Sequence, residues 1–175
     1  MNKQTLVAIL MGSDSDLGVV SETCQTLEEF GVSFEVKVLS AHRSPGLVHE
    51  YVTSLKDQGI KVIIAAAGGA AHLAGVCASL SVLPVIGIPV QAKTLDGLDS
   101  LLSTVQMPPG VPVATVGINA SKNAALLALQ ILATSDEELS GKLEEYKKKL
   151  EKSILEKTEK LKKLGYQQYL EEKGK

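Results

Sequence analysis

A chain of 175 residues, 45% of them hydrophobic, is long enough to bury one sizeable core, which indicates a globular rather than a disordered protein and makes one domain the default. A formal net charge of -2 argues against a nucleic-acid surface, and 3% aromatics leaves little to stack on bases or on a flavin ring. The longest nearly uncharged apolar stretch, residues 62–71, is about half the roughly 20 residues that a membrane-spanning helix needs, so no membrane is expected as a partner.

From the amino terminus, one lysine, Lys3, precedes a short apolar run over residues 5–11 that reads as a strand. No small-residue cleavage pattern of a signal peptide follows, and the cytoplasm is the expected location. Next comes Gly12-Ser13-Asp14-Ser15-Asp16, where small hydroxyl and acidic residues begin a helix over 17–30. Backbone amides and hydroxyls there suit an anion, while Ser15 or Asp16 capping the helix is an equally good account of the loop taken alone. Two aspartates repel a phosphate, so Asp16 makes better sense accepting from sugar hydroxyls.

A second strand-like run over 34–39 leads into Ser40-Ala41-His42-Arg43-Ser44-Pro45, and the proline opens a helix over 45–58. Of the 18 Lys plus Arg residues, only Arg43 is an arginine. Its planar, permanently charged fork suits phosphate or carboxylate, and the histidine before it can give and take a proton near neutral pH. His49, among polar neighbours in the following helix, reads as a surface residue.

A third run over 61–66 leads into Ala66-Ala67-Gly68-Gly69-Ala70-Ala71-His72-Leu73 and a helix over 70–80. The backbone is almost bare of side chains until His72, so a ligand can approach the peptide groups closely. Runs over 84–89 and 112–117 complete five strands, with helices over 97–105 and 120–134. The segment from Asp96 to Pro108 follows the fourth strand and is placed to close or support a pocket. Cys24 and Cys77 stand in apolar, helix-like settings without metal-ligand spacing and read as buried thiols.

Strands alternating with helices imply a parallel sheet with crossover helices, and near-continuous Val, Ile, Leu and Ala runs imply that the sheet is covered on both faces. The expected fold is α/β, a three-layer, flavodoxin-like sandwich around a five-stranded parallel sheet. In such a sheet the three loops emerge at one edge, the carboxyl ends of the strands, where ligands bind. Strand order is not readable.

Residues 1–134 form this expected domain, and 135–175 a helical extension. The last 41 residues hold 10 of the 20 acidic and 11 of the 18 basic residues. Within them Leu139, Leu143, Tyr146, Leu150, Ile154, Leu161 and Leu164 recur at mostly three- and four-residue steps, an apolar stripe on a charged helix. That stripe needs a partner, either its own domain or, the preferred reading, a neighbouring subunit.

These segments together resemble the class I N5-carboxyaminoimidazole ribonucleotide mutases of purine biosynthesis. The likeness runs through residues 5–134 and is carried by Met11-Gly12-Ser13 with Ser15-Asp16, Ser40-Ala41-His42-Arg43, Ala67-Gly68-Gly69-Ala70-Ala71-His72-Leu73, Pro84-Val85, Asp99-Ser100-Leu101, Gln106-Met107-Pro108 and the run Asn123 to Ala128. The resemblance implies conversion of N5-carboxyaminoimidazole ribonucleotide to 4-carboxy-5-aminoimidazole ribonucleotide without metal, nucleotide triphosphate or biotin, by a cytoplasmic homo-octamer. An enzyme delivering the unstable substrate is the implied transient partner.

Carried over by motif, His42 is the catalytic acid/base, Ser13 and Arg43 bind the phosphate end, Asp16 holds the ribose, and Ser15, Ser40 and Ala41 are further substrate-binding residues. Gly68, Gly69, Ala70, His72 and Leu73 surround the base and carboxylate. The chain departs from the family pattern at Ser44, Gly46, Ala66 and Ala74, where threonine, aspartate, glycine and proline are usual, and the Ala74 change bears on the loop that holds His72.

The chemistry also stands on the residues. Losing the N-carboxylate as carbon dioxide leaves negative charge on nitrogen that needs a proton, and recarboxylation at the ring carbon requires removal of one. An imidazole, with an ordinary pKa of about 6.5, serves both. Two other classes fit the architecture: a carboxylase using carbon dioxide directly on aminoimidazole ribonucleotide, as class II relatives do, and a non-catalytic nucleotide-binding module. A receiver domain does not fit, because it needs an aspartate where Ala65 to Gly69 stand.

Overall fold

The computed structural model describes residues 4–173. Five strands, β1 (Val7–Met11), β2 (Phe34–Val38), β3 (Val62–Gly68), β4 (Val85–Val90) and β5 (Ala114–Thr115), pair in parallel in the order β2-β1-β3-β4-β5. Helices α1 (Leu17–Glu29), α2 (Pro45–Ser54), α3 (Leu73–Leu80), α4 (Leu98–Val105) and α5 (Ser121–Ala133) alternate with them. This is the flavodoxin-like sandwich that the alternation implies.

Burial explains the strand sequences. Every residue of β1 and β4, and the first five of β3, is buried, so both faces must be apolar and the runs cannot alternate with polar residues. On one face Ala8, Leu10, Ile63 and Ala65 pack with Val48, Val52, Leu55, Leu73 and Cys77 of α2, its carboxyl-terminal turn and α3. On the other, Val20 and Leu27 of α1 and Ala125, Ala128 and Leu129 of α5 are fully buried, and the Thr23 hydroxyl joins those helices by donating to the Ser121 carbonyl at 3.0 Å. Only β2, at the sheet edge, carries charges, Glu35 and Lys37, which pair at 3.5 Å.

The elements differ from the sequence reading mainly at their ends. β5 has two paired residues, where a run over 112–117 reads as a strand, because its partners are only Ile86 and Gly87 of β4 and Pro112 has no amide to offer. α2 stops at Ser54, and the chain turns through Gly59 at φ +86°. α3 starts at Leu73, three residues later than the run over 70–80 reads, with His72 at its N-cap.

Between β1 and β3 the connections leave in opposite directions along the sheet, β1 running to β2 on one side while β3 runs to β4 on the other. The crevice at such a reversal is where open α/β sheets take their ligands.

The chain divides into two compact units, one ending at Ser135 and one beginning at Asp136, a residue beyond the boundary read from composition. The second unit is helix α6 (Glu137–Lys173), whose first turn is capped by the Asp136 carboxylate accepting from the Leu139 amide at 2.9 Å. Glu138–Lys142 and Glu145–Lys148 pairs lie along it at 2.8 and 2.7 Å. Its helical path breaks at Gly165 (φ +71°, ψ 161°), a backbone region open essentially to glycine alone, and Lys160 meets Glu172 at 2.6 Å across the break. The extension is therefore two helical arms, and within the stripe Leu150, Ile154 and Leu161 are exposed.

Cys77 is buried and Cys24 only partly so, and both are free thiols. No helix of the described residues is long and apolar enough to cross a membrane.

Candidate active site

Gly12-Ser13 leaves the end of β1 and turns at once into a tight three-residue helix over Asp14–Asp16. Ser13 caps that turn: its hydroxyl accepts from the Ser15 amide at 3.3 Å, and the Asp16 carboxylate reaches back to accept from the Ser13 amide at 3.2 Å. The residue that caps is thus Ser13, with Asp16 as its reciprocal partner rather than the cap of α1. Asp16 is buried, and burial raises its carboxyl above the ordinary value, with hydrogen bonds from Ser13 and Ser15 and the Arg43 charge opposing that rise.

After β2, the Ser44 hydroxyl both accepts from the Ser40 amide at 3.0 Å and donates to the Ser40 carbonyl at 3.1 Å, closing a tight loop around His42 and Arg43. The Ser40 hydroxyl accepts from the Arg43 amide at 3.2 Å. Serine at position 44 keeps the hydroxyl that a threonine would supply. Arg43 Nη2 donates to the Gly12 carbonyl at 2.7 Å, fixing the guanidinium at the carboxyl end of β1.

After β3, glycine is required twice. A Cβ on Gly68 would stand 3.2 Å from the Val90 carbonyl oxygen, and Gly69 has a left-handed backbone. Ser103 of α4 steadies this loop, its hydroxyl accepting from the Ala71 amide at 3.0 Å and donating toward the Asp99 and Gly69 carbonyls. The segment after β4 therefore supports the pocket floor. The loop delivers His72, whose Nδ1 lies 2.7 Å from His42 Nε2 with the two rings 76° apart.

These loops enclose one cavity of about 780 Å³. Ser13, Ser15, Asp16, Ser40, Ala41, His42, Arg43, Gly68, Gly69, Ala70, His72 and Leu73 all line it, so the structure brings the candidate site residues of the three loops to one place. His49 is exposed elsewhere.

Residues 6–153 match the family model described as AIR carboxylase. The chain belongs to the AIR carboxylase family. It is 54% identical over 171 residues to the N5-carboxyaminoimidazole ribonucleotide mutase of Pyrococcus horikoshii, covering 98% of this chain and 97% of that one. It is 53% identical over 167 residues to the Thermotoga maritima protein of the same name, covering 95% and 98%. A crystal structure of Treponema denticola PurE superposes with a TM-score of 0.83 at 30% identity, over 90% of this chain and 99% of that one.

Within this AIR carboxylase family member, the cavity holds a fixed cation, a buried carboxylate and two contacting imidazoles at one edge of the sheet. That set can bind an anionic sugar phosphate and move a proton. Among the described residues no three His, Cys, Asp or Glu side chains are grouped as a metal site requires. The sequence reading missed one flank of the cavity, Val90, Gln91, Ala92 and Lys93, contributed by the end of β4. One signal for it was present: Lys93 is the only Lys or Arg between Lys61 and Lys122.

Proposed function

We propose that the chain converts N5-carboxyaminoimidazole ribonucleotide to 4-carboxy-5-aminoimidazole ribonucleotide in purine biosynthesis, with His42 as the proton carrier. The names and close likeness of the relatives support the reaction, and the 2.7 Å contact between His42 and His72 inside the cavity supports the carrier.

In this reading the phosphate lies by Arg43 and the Ser13 and Ser15 hydroxyls, where the guanidinium supplies the opposing charge. Ser40 and Ala41 flank that corner, and Asp16 accepts from the ribose hydroxyls. The imidazole ring lies between His42 and the wall formed by Gly68, Gly69 and Ala70, with His72 and Leu73 behind it.

Cleavage of the N–carboxylate bond releases carbon dioxide and leaves an electron pair on nitrogen, which takes a proton from the His42 imidazolium. The ring carbon then attacks the retained carbon dioxide, and neutral His42 removes the proton from that carbon, restoring the starting charge. His72 holds the imidazole of His42 in place through its Nδ1. A wall without side chains keeps the carbon dioxide close to the ring and away from bulk water.

The test is turnover of N5-carboxyaminoimidazole ribonucleotide by the purified chain, without ATP or added bicarbonate, beside its His42→Asn variant. Product from wild type and none from the variant supports both the reaction and the role. Product only from aminoimidazole ribonucleotide and carbon dioxide replaces the reading with direct carboxylation, and binding without turnover replaces it with a nucleotide-binding module.

The same reading places the protein in the cytoplasm as a homo-octamer, receiving its unstable substrate from a transient partner enzyme. Leu98, Leu102 and Val105 form an exposed apolar face along α4 that another copy is suited to cover. Light-scattering mass measures this directly, and a monomer at micromolar concentration overturns it.

A further inference from the structure

The flank that the sequence reading missed carries a cation with no assigned task. Lys93 lines the cavity, and among the described residues its ammonium has no ion pair or hydrogen bond. Arg43, by contrast, already spends Nη2 on the Gly12 carbonyl and lies against Ser40.

The two cations serve opposite sides of the pocket. Arg43 follows β2 and Lys93 follows β4, with β1 and β3 between them. Three strand spacings separate the loop origins, roughly 14 Å, so they are placed to meet different ends of a ligand. The Ala92 Cβ would be 3.8 Å from a Cβ on Gly68, which puts the Lys93 segment beside the glycine wall and not at the Gly12 corner.

The segment is also firmly based. The Gln91 amide donates to Asn119 Oδ1 at 2.9 Å, and the buried Ser100 hydroxyl donates to the Val90 carbonyl at 2.8 Å. Beyond Lys93 the chain turns sharply through Leu95, Asp96 and Gly97, all with positive φ, and a Cβ on Gly97 would stand 3.2 Å from the Gln91 Cα. A flexible side chain thus projects from an anchored backbone at the wall side of the cavity.

Resting on the function proposed above, the substrate carries two anionic groups, a phosphate and a carboxylate, and the phosphate corner accounts for one. We propose that Lys93 binds the carboxylate of the substrate beside the Gly68–Gly69 wall and so discriminates carboxylated from uncarboxylated imidazole ribonucleotide. A compact ammonium on a flexible stem suits a group that leaves nitrogen and reappears on carbon, because it can follow the carboxylate between the two positions.

The experiment compares wild type, Lys93→Met and Lys93→Arg in KM for N5-carboxyaminoimidazole ribonucleotide and in Kd for uncarboxylated aminoimidazole ribonucleotide. Lys93→Met should raise KM about tenfold or more, the loss of one charge-assisted hydrogen bond, while Kd changes less than about twofold and Lys93→Arg recovers part of the loss. Unchanged KM with an active wild type overturns the proposal, and an equal loss for both ligands overturns it in favour of a phosphate contact. A wild type inactive on the carboxylated substrate overturns the functional reading first and this proposal with it. Because Lys93 is exposed, the melting temperature should be unchanged, which separates lost binding from lost fold.

Discussion

His42 and His72 come from different loops, 30 residues apart, yet their facing nitrogens are 2.7 Å apart, hydrogen-bonding distance. Whichever ring donates fixes the tautomer of the other, since two protons cannot occupy that gap. The contact therefore sets the orientation and the tautomer of both rings together.

His42→Asn should lower kcat about 10²- to 10⁴-fold, the usual worth of a positioned acid/base, with less than about a tenfold change in ligand Kd. His72→Asn should cost less in kcat, because it loosens the imidazole of His42 without removing it. Steady-state kinetics checks both, and an unchanged kcat in the His72 variant removes its positioning role.

Asp16→Asn should stabilise the free protein while weakening ligand binding. Burial raises the Asp16 carboxyl in the folded state, so the unfolded chain releases this proton at lower pH than the folded one. Stability is lost as pH rises from the unfolded value until the folded group has also ionised, and asparagine escapes that loss. The variant should melt higher at pH 7, with the difference narrowing toward pH 3, as followed by calorimetry.

Ser103→Ala removes the hydroxyl holding the Gly69–Ala71 turn. One hydrogen bond is worth about 0.5–1.5 kcal/mol, which corresponds to a fall of about 2- to 13-fold in kcat/KM if the loop must be set before His72 is placed. An unchanged kcat/KM with a lowered melting temperature would make Ser103 purely structural.

Gly87→Ala tests how closely β4 is packed. The new Cβ would meet Thr104 Cγ2, stand 3.0 Å from Val113 Cγ1 and lie 3.4 Å from Ala74 Cβ. Overpacking of this kind costs about 1–3 kcal/mol, measurable by urea unfolding. The contact also shows how Ala74, where a proline is usual in the family pattern, is held: it is buried against the sheet rather than left loose under His72.

Legibility in the sequence followed the range of the interactions. Runs such as residues 62–66 report burial on both faces, and Pro45 marks the start of α2, so five strands and five helices could be read locally. Strand order could not, because the insertion of β1 between β2 and β3 is decided by pairing across the whole domain. The three loops after β1, β2 and β3 were legible through unusual residues: a run of glycine, serines and aspartates after β1, the one arginine with a histidine after β2, and a glycine pair with a histidine after β3. The flank after β4 was not, since its one signal, a lone lysine in a long stretch without Lys or Arg, acquires meaning only once β4 is known to adjoin β3. Gly165 looked like one more residue of a charged helix, because its positive φ leaves no periodic trace.

The anchoring of Arg43 to the Gly12 carbonyl gives the protein a single-address chemical handle. A chain with one guanidinium offers an arginine-selective dicarbonyl reagent one target, so the stoichiometry of labelling reads occupancy of this corner of the cavity directly. Shielding by inorganic phosphate would then be visible in a mass spectrum of the intact chain, without any assay of turnover.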